Sequence, residues 1–369
     1  MTPDPIALRG TIPLTVLTSM DVVLRDAVAT DALLDVPGAV VLRYDADPAR
    51  GTMDRLVLDV TGVIERTEVV LEHACVSYAM REDAVPLLES LARSGRWSSI
   101  LLALPLSADP WVVTRALAMQ PLTARLATVA TVLDSASARE DLLGEDTLAE
   151  RGLRWAADDE RAVGEALAAQ IEFSDLVIDA AATDGPGREL VTHLLAPEQL
   201  LISGLHRPSD VGLFAPRHDP ETADARVDPR TVRLHAEHDG IDTHGTWSLE
   251  LRSDLPFHPD RFLEQIERLG AGRMRGRGRF WLPTRPHSIC RWDGAGGQVS
   301  IGVHSETAPG EDQATHLIIT GIDAEDAARV RAAFADCLLT RAEMRRGFAP
   351  WLGREDGMDA WLGSREDVA

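Results

Sequence analysis

The chain of 369 residues contains no lysine and no asparagine, and all 37 of its Lys+Arg positions are arginine. The missing lysine removes the ammonium that a phosphate-binding loop sets on terminal phosphates, after glycines that let backbone N–H groups approach. It also excludes Schiff-base chemistry. An Asn-Lys-x-Asp guanine-reading motif cannot be written without the two residues. High-GC codon usage is the ordinary origin of such a bias. Cysteine is scarce: Cys75, Cys290 and Cys337 stand far apart and supply no disulfide framework. No apolar run approaches the ~20 residues of a membrane-crossing helix. The opening MTPDPIALRG lacks the charge and apolar pattern of a secretory signal, which predicts a cytoplasmic protein with no membrane partner.

Negative charge is abundant. A formal net charge of -22 repels phosphates at long range and argues against DNA as a partner. The length suggests about two domains. The first 200 or so residues alternate strand-like and helix-like runs, which predicts an α/β fold with a mostly parallel sheet. Strands are expected at Leu14–Thr18, Ala39–Tyr44, Arg55–Val60, Ser99–Leu104, Leu126–Leu133 and Leu176–Asp179. Helices are expected at Asp21–Leu34, Glu82–Ala92, Pro110–Ala118 and Glu160–Phe173, with Asp21 and Pro110 as start signals. From Gly204 to Thr243 the text is polar and proline-broken, which reads as a linker or mobile loop. A smaller α+β block follows. Its strands are expected at Thr246–Leu251, Met274–Leu282, Ser288–Trp292, Val299–His304 and Leu317–Ile322, its helices at Pro259–Leu269 and Ala324–Arg345.

Arg273, Arg275, Arg277 and Arg279 alternate along a predicted strand and share one face. Met274, Gly276, Gly278 and Phe280 form the other, where the glycines would let a helix approach. In so acidic a chain internal pairing with Asp or Glu is the ordinary outcome. The functional alternative is a basic ridge on rRNA phosphate or an acidic partner, extended by Arg285 and Arg291. The tail repeats Trp-Leu-Gly at Trp351 and Trp361. Docking on the protein's own surface is the ordinary reading, and a partner hot spot the sharper one. Ser77 near His73 has no third member and no nucleophile elbow, so no hydrolase site is visible. The acidic run Asp158-Asp159-Glu160 reads as a solvated helix start.

SLELRSDLPFHPDRFLEQIERL followed by RMRGRGRFWLPTRP resembles the C-terminal domain of the CobW family of GTP-dependent metallochaperones, a branch of the P-loop GTPases. HACVSYAMREDAVPLL is similar to that family's Cys-x-Cys-Cys segment, and Ser107-Ala108-Asp109-Pro110 to its Leu-Ala-Asp-Pro. The resemblance spans roughly residues 14–347. It implies a GTPase-like domain over 1–203, a linker over 204–244, a CobW C-terminal-like domain over 245–347 and a tail over 348–369. It also implies zinc, or GTP with Mg²⁺, as the groups to look for.

The departures from the family are as informative. Its Gly-x4-Gly-Lys-Thr loop is Ser19-Met20-Asp21-Val22-Val23-Leu24-Arg25-Asp26 here. Without glycines the backbone cannot wrap an anion, Leu24 crowds the site, and Asp21 and Asp26 repel phosphate. Only Arg25 supplies positive charge. The family's Glu-x-x-Gly is Ala103-Leu104-Pro105-Leu106, and Asp179-Ala180-Ala181-Ala182-Thr183-Asp184 stands where guanine would be read. The remnant phosphate loop is therefore Ser19, Leu24, Arg25 and Asp26. On the metal side, Ser77 and Tyr78 replace two thiolates, which leaves Cys75 with His73, at most two ligands where zinc prefers four. His235, His238 and His244, with Asp239 or Asp242, make a weak chelating pattern for which solvated loop histidines are the ordinary reading.

VLTSMDVVLRDAVATDALL and the His-x-Cys-Val-Ser segment resemble the ribosome-hibernation-factor recruiting proteins of high-GC bacteria, which belong to the zinc-starvation response. The resemblance implies a non-catalytic adaptor or regulator that binds a protein partner, a hibernation factor or the ribosome. Arg273, Arg275, Arg277, Arg279, Trp281, Trp351 and Trp361 are its candidate contacts. The alternative is a divergent GTP-dependent zinc metallochaperone using Arg25, with Cys75 and His73 on zinc. A third reading is a structural subunit of a dimer or complex.

Overall fold

A computed structural model describes residues 11–70, 76–181, 183–234, 240–307 and 313–364. Cys75, His73, His235 and His238 lie outside the described residues. Two sheets carry the described fold.

The first sheet has eight strands: β1 (Pro13–Thr18), β2 (Ala39–Asp47), β3 (Thr52–Asp59), β4 (Gly62–Val70), β5 (Ser99–Ala103), β6 (Arg125–Leu133), β7 (Leu176–Asp179) and β8 (Leu200–Ser203). Their spatial order is β4-β3-β2-β5-β1-β6-β7-β8. From β2 to β8 neighbours run parallel, while β2, β3 and β4 form an antiparallel edge. The central strands are apolar on both faces, as a sheet covered by helices on both sides requires. Val16, Leu42 and Leu102 fill one face, and Leu17, Val41 and Leu101 the other.

The covering helices are α1 (Val22–Asp35), α2 (Val76–Ala79), α3 (Val85–Arg93), α4 (Pro110–Ala118), α5 (Ala138–Leu143), α6 (Val163–Phe173), α7 (Pro186–Leu194) and α8 (Pro220–Val227). Met80–Ala84 joins α2 to α3 through a π-helical turn. Asp21, Asp109 and Asp219 cap α1, α4 and α8 by accepting first-turn N–H groups.

The stretch from Gly204 expected as a linker is built into this first domain. Leu213 is buried in the sheet core, and α8 carries Arg226 inward. Arg226 pairs with Asp175 at 2.8 Å, and His218 Nδ1 lies 3.0 Å from the same carboxylate. Burial alone would raise the pKa of Asp175, but His218 and Arg226 hold it below the usual carboxylate range.

After β9 (Gly240–Ile241), the second domain folds as an antiparallel sheet in the order β10-β14-β11-β12-β13. These strands are β10 (Trp247–Ser253), β11 (Met274–Leu282), β12 (Arg285–Ala295), β13 (Gln298–Glu306) and β14 (Thr315–Gly321). α9 (Pro259–Gly270) and α10 (Ala324–Cys337) cover one face around Phe257, Phe262, Phe280, Trp292 and Phe334. The long last helix expected to Arg345 ends at Cys337. A new turn, α11 (Arg341–Met344), starts from a Thr340–Glu343 capping box. α12 (Asp359–Leu362) follows in the tail.

The glycines of β11 serve a different end from the helix approach expected of them. A Cβ on Gly276 would meet the Trp292 ring at 2.9 Å. One on Gly278, whose φ is +146°, would meet the His316 carbonyl at 2.1 Å. They make room for an indole and a neighbouring strand.

Candidate functional site

In open α/β sheets ligands bind beyond the carboxyl ends of the strands, and anions favour helix N-termini there. The equivalent place in this chain lies where β1 hands over to α1. The turn is only Ser19-Met20-Asp21. Ser19 is buried; its hydroxyl donates to the Val132 carbonyl at 2.8 Å and accepts the Asp21 N–H at 3.0 Å. The Asp21 carboxylate accepts the N–H groups of Val23 (2.6 Å) and Leu24 (3.1 Å). The amides that would hold a phosphate are thus occupied by a carboxylate of the same chain. Leu24 is half-buried against the sheet.

Arg25, the one cation of this segment, is 0% exposed and points inward. It donates to the carbonyls of Tyr44 (3.2 Å) and Leu104 (3.1 Å), to Asp26 (3.1 Å) and to Asp45 (2.6 Å). Arg43 closes the ring, at 2.8 Å from Asp26 and 2.9 Å from Asp45. Two arginines and two aspartates therefore form a closed quartet spanning α1 and β2. The reading of Arg25 as a stand-in phosphate cation is corrected: every one of its donors is turned to protein oxygen. GTP with Mg²⁺ does not fit the residues present.

The other nucleotide positions are also internal. Asp179 is fully buried, accepts the N–H groups of Ser135 (3.0 Å) and Ala181 (3.1 Å), and pairs with Arg188 at 2.9 Å. Ala103 and Leu104 are core residues. Ser107 takes a φ of 63°, in the left-handed region, held by its hydroxyl on the Leu153 carbonyl and by Arg161 on its own.

The arginine face of β11 turns toward the first domain. Arg275 meets Glu172 of α6 with two hydrogen bonds of 2.8 Å, and also binds Asp293. Burial alone would raise the Glu172 pKa; the guanidinium groups of Arg275 and Arg277 outweigh it and hold the acid ionised. Arg277 lies 3.3 Å from Glu172 and donates to the Arg226 carbonyl, and Arg273 pairs with Glu140 at the surface. As a continuous exposed ridge, then, the expected surface is corrected: Arg275 and Arg277 clamp the two domains. They border an interdomain cleft of about 750 Å³, whose other walls include Trp111, Arg115, Asp224, Arg291 and His304.

Elsewhere on the same junction, His193 Nδ1 lies 2.9 Å from Ser248 Oγ and its Nε2 2.9 Å from Asp242. Glu189 accepts the N–H groups of His244 and Thr246. Sequence reasoning missed Glu172, Arg226 and His193; nothing in their local text distinguishes them from surface residues.

Of the aromatic candidates, Trp281 is buried beside Phe348, and Trp351 is buried edge-on to His258 with Arg354 over its ring. Those two dock internally. Trp361 is 51% exposed. The tail is anchored by Asp356, buried against Arg285 at 2.9 Å, which removes Arg285 from any outer ridge. Among the described residues no three His, Cys, Asp or Glu side chains are grouped to hold a metal ion, and no helix is long and apolar enough to cross a membrane.

Residues 246–338 match the cobalamin synthesis protein cobW C-terminal domain. The zinc chaperone Rv0106 of Mycobacterium tuberculosis is 29% identical over 293 residues, 74% of this chain and 69% of that protein. The zinc-regulated GTPase metalloprotein activator 1 of Dictyostelium discoideum is 22% identical over 342 residues, 78% of this chain and 70% of that protein. The solved Zn(II)-bound YjiA GTPase from E. coli covers 89% of this chain and 99% of its own, with 14% identity and a TM-score of 0.38. The chain carries a CobW C-terminal domain behind an α/β domain, and the CobW family is the one to which its sequence likeness points.

Proposed function

We propose that this chain is a CobW-type protein of zinc homeostasis that acts by binding a protein partner, without nucleotide turnover. The observation that carries the reading is Arg25: the position of the phosphate-loop lysine is occupied by a buried arginine committed to Asp26, Asp45 and two carbonyls. Asp21 on the first amides of α1 supports the same conclusion, because a carboxylate excludes a second anion from that helix end. The finer reading is an adaptor of the zinc-starvation response that brings a hibernation factor to the ribosome. Trp361 is the exposed aromatic candidate for such a contact.

A second reading is a GTP-dependent zinc chaperone. It is supported by the names of two relatives, a zinc chaperone and a zinc-regulated GTPase metalloprotein activator. Zinc would be cargo in that second reading. Cosedimentation with ribosomes and hibernation factor, with and without GTP·Mg²⁺, separates the two. Nucleotide-independent cosedimentation is the expected result. Association that needs GTP would favour the chaperone reading, and no association in either condition would remove the adaptor.

A further inference from the structure

β4 is the outer strand of the large sheet: one edge pairs with β3, and the other pairs with no strand among the described residues. An open edge leaves a row of backbone N–H and C=O groups ready to pair, and proteins usually blunt it with charge, proline or a bulge. In β4, GVIERTEVV, charge is confined to the middle and aliphatic residues flank it. Val63 is 56% exposed, Ile64 41% and Val70 70%.

The pattern is self-complementary. Set two copies antiparallel with a twofold axis through Thr67, so that Thr67 faces its own copy. Arg66 of each copy then faces Glu68 of the other, and Ile64 faces Val70 at each end. Side chains two apart share a face, so Arg66, Glu68 and Val70, beyond the register shift, form one continuous row. Ile64 is the extra residue where the β3–β4 register shifts, so the strand bends and the paired stretch ends there.

The neighbouring registers fail. An axis through Arg66 sets two guanidiniums against each other, and one through Glu65 or Glu68 sets two carboxylates together. An axis between residues would join side chains of opposite faces. Arg66 already pairs with Asp54 and Glu68 with Arg50, but their side chains remain 66% and 43% exposed and open to a second partner.

We infer that two copies of this chain form a twofold dimer in which their β4 strands pair antiparallel about Thr67, joining two sheets into one. A single pair of strands is a small interface, so the dimer is expected to form reversibly and to depend on concentration. Analytical ultracentrifugation of the full chain tests it, together with two variants. The wild type is expected to pass from monomer to dimer with concentration. Arg66→Glu puts like charges opposite each other twice and is expected to weaken the dimer roughly tenfold or more, with an unchanged circular dichroism spectrum.

Thr67→Cys reads the register. Directly opposed Cβ atoms lie about 4.5–5.5 Å apart, close to disulfide reach. Mild oxidation is therefore expected to link Thr67→Cys into a covalent dimer above the wild-type background, and Val69→Cys, which faces Glu65, to stay at that background. A wild type that is monomeric at all concentrations overturns the proposal. So does a dimer indifferent to Arg66→Glu and to the position of the cysteine, including one built on another surface or a strand pair in another register.

Discussion

Arg275 of β11 and Glu172 of α6 form a two-toothed ion pair, both N···O distances 2.8 Å, between side chains only 5% and 3% exposed. It joins the two domains. A carboxylate so placed is tolerable because Arg275 and Arg277 both face it.

Removing Arg275 takes both of the 2.8 Å hydrogen bonds from the buried Glu172 and leaves it only Arg277, 3.3 Å away. Arg275→Met is expected to destabilise the protein by about 3–5 kcal/mol, whereas Arg275→Met with Glu172→Leu recovers much of the loss. Thermal unfolding of the four members of the cycle measures it. Single and double variants of equal stability would contradict the clamp.

Arg25→Ala leaves Asp26 and Asp45 with Arg43 as their only partner in the quartet. The expected loss is about 3 kcal/mol of stability, because both carbonyl acceptors and one side of each carboxylate are left unmatched. Urea unfolding checks it. If instead stability is unchanged and a nucleotide affinity is lost, Arg25 serves phosphate.

Glu343 is held at about 2, against an ordinary 4.5, by hydrogen bonding from Arg261, opposed by its partial burial and reinforced by the Thr340 N–H. A depressed carboxylate contributes stability that is complete above its unfolded value and lost as pH falls through the folded one. The stability gap between wild type and Glu343→Gln is therefore expected to be constant above pH 4.5 and to close by about pH 2. Urea midpoints across that range measure it. A gap that widens on acidification would reverse the sign of the assignment.

Burial pushes the thiols of Cys290 and Cys337 up to about 12. The thiolate is the reactive form. Neither residue is expected to label with a disulfide reagent at neutral pH in the folded protein, and both should label in urea. Peptide mass mapping distinguishes the sites, and labelling of Cys290 in the native state would contradict its burial.

Legibility followed exposure. α4 (Pro110–Ala118) and β11 (Met274–Leu282) stand at their expected bounds, because Asp109-Pro110 marks a helix start and the alternation of β11 marks a strand. β4 was invisible because it is exposed on most of its length and shows no apolar alternation. The break after Cys337 carries neither proline nor glycine; its one signal was Thr340 three residues before Glu343. The altered loop at Ser19–Asp26 was plain in the text, since the missing glycines and lysine are local facts. The inward turn of Arg25 was not, because its acceptors, Tyr44, Asp45 and Leu104, come from other strands and the loop beyond them.

The most direct measurement is a calorimetric titration of the metal-free protein with GTP and Mg²⁺, repeated with zinc present. The internal quartet at Arg25 and the Asp21 cap lead to no binding heat at high micromolar nucleotide in either condition. One-to-one binding would contradict them.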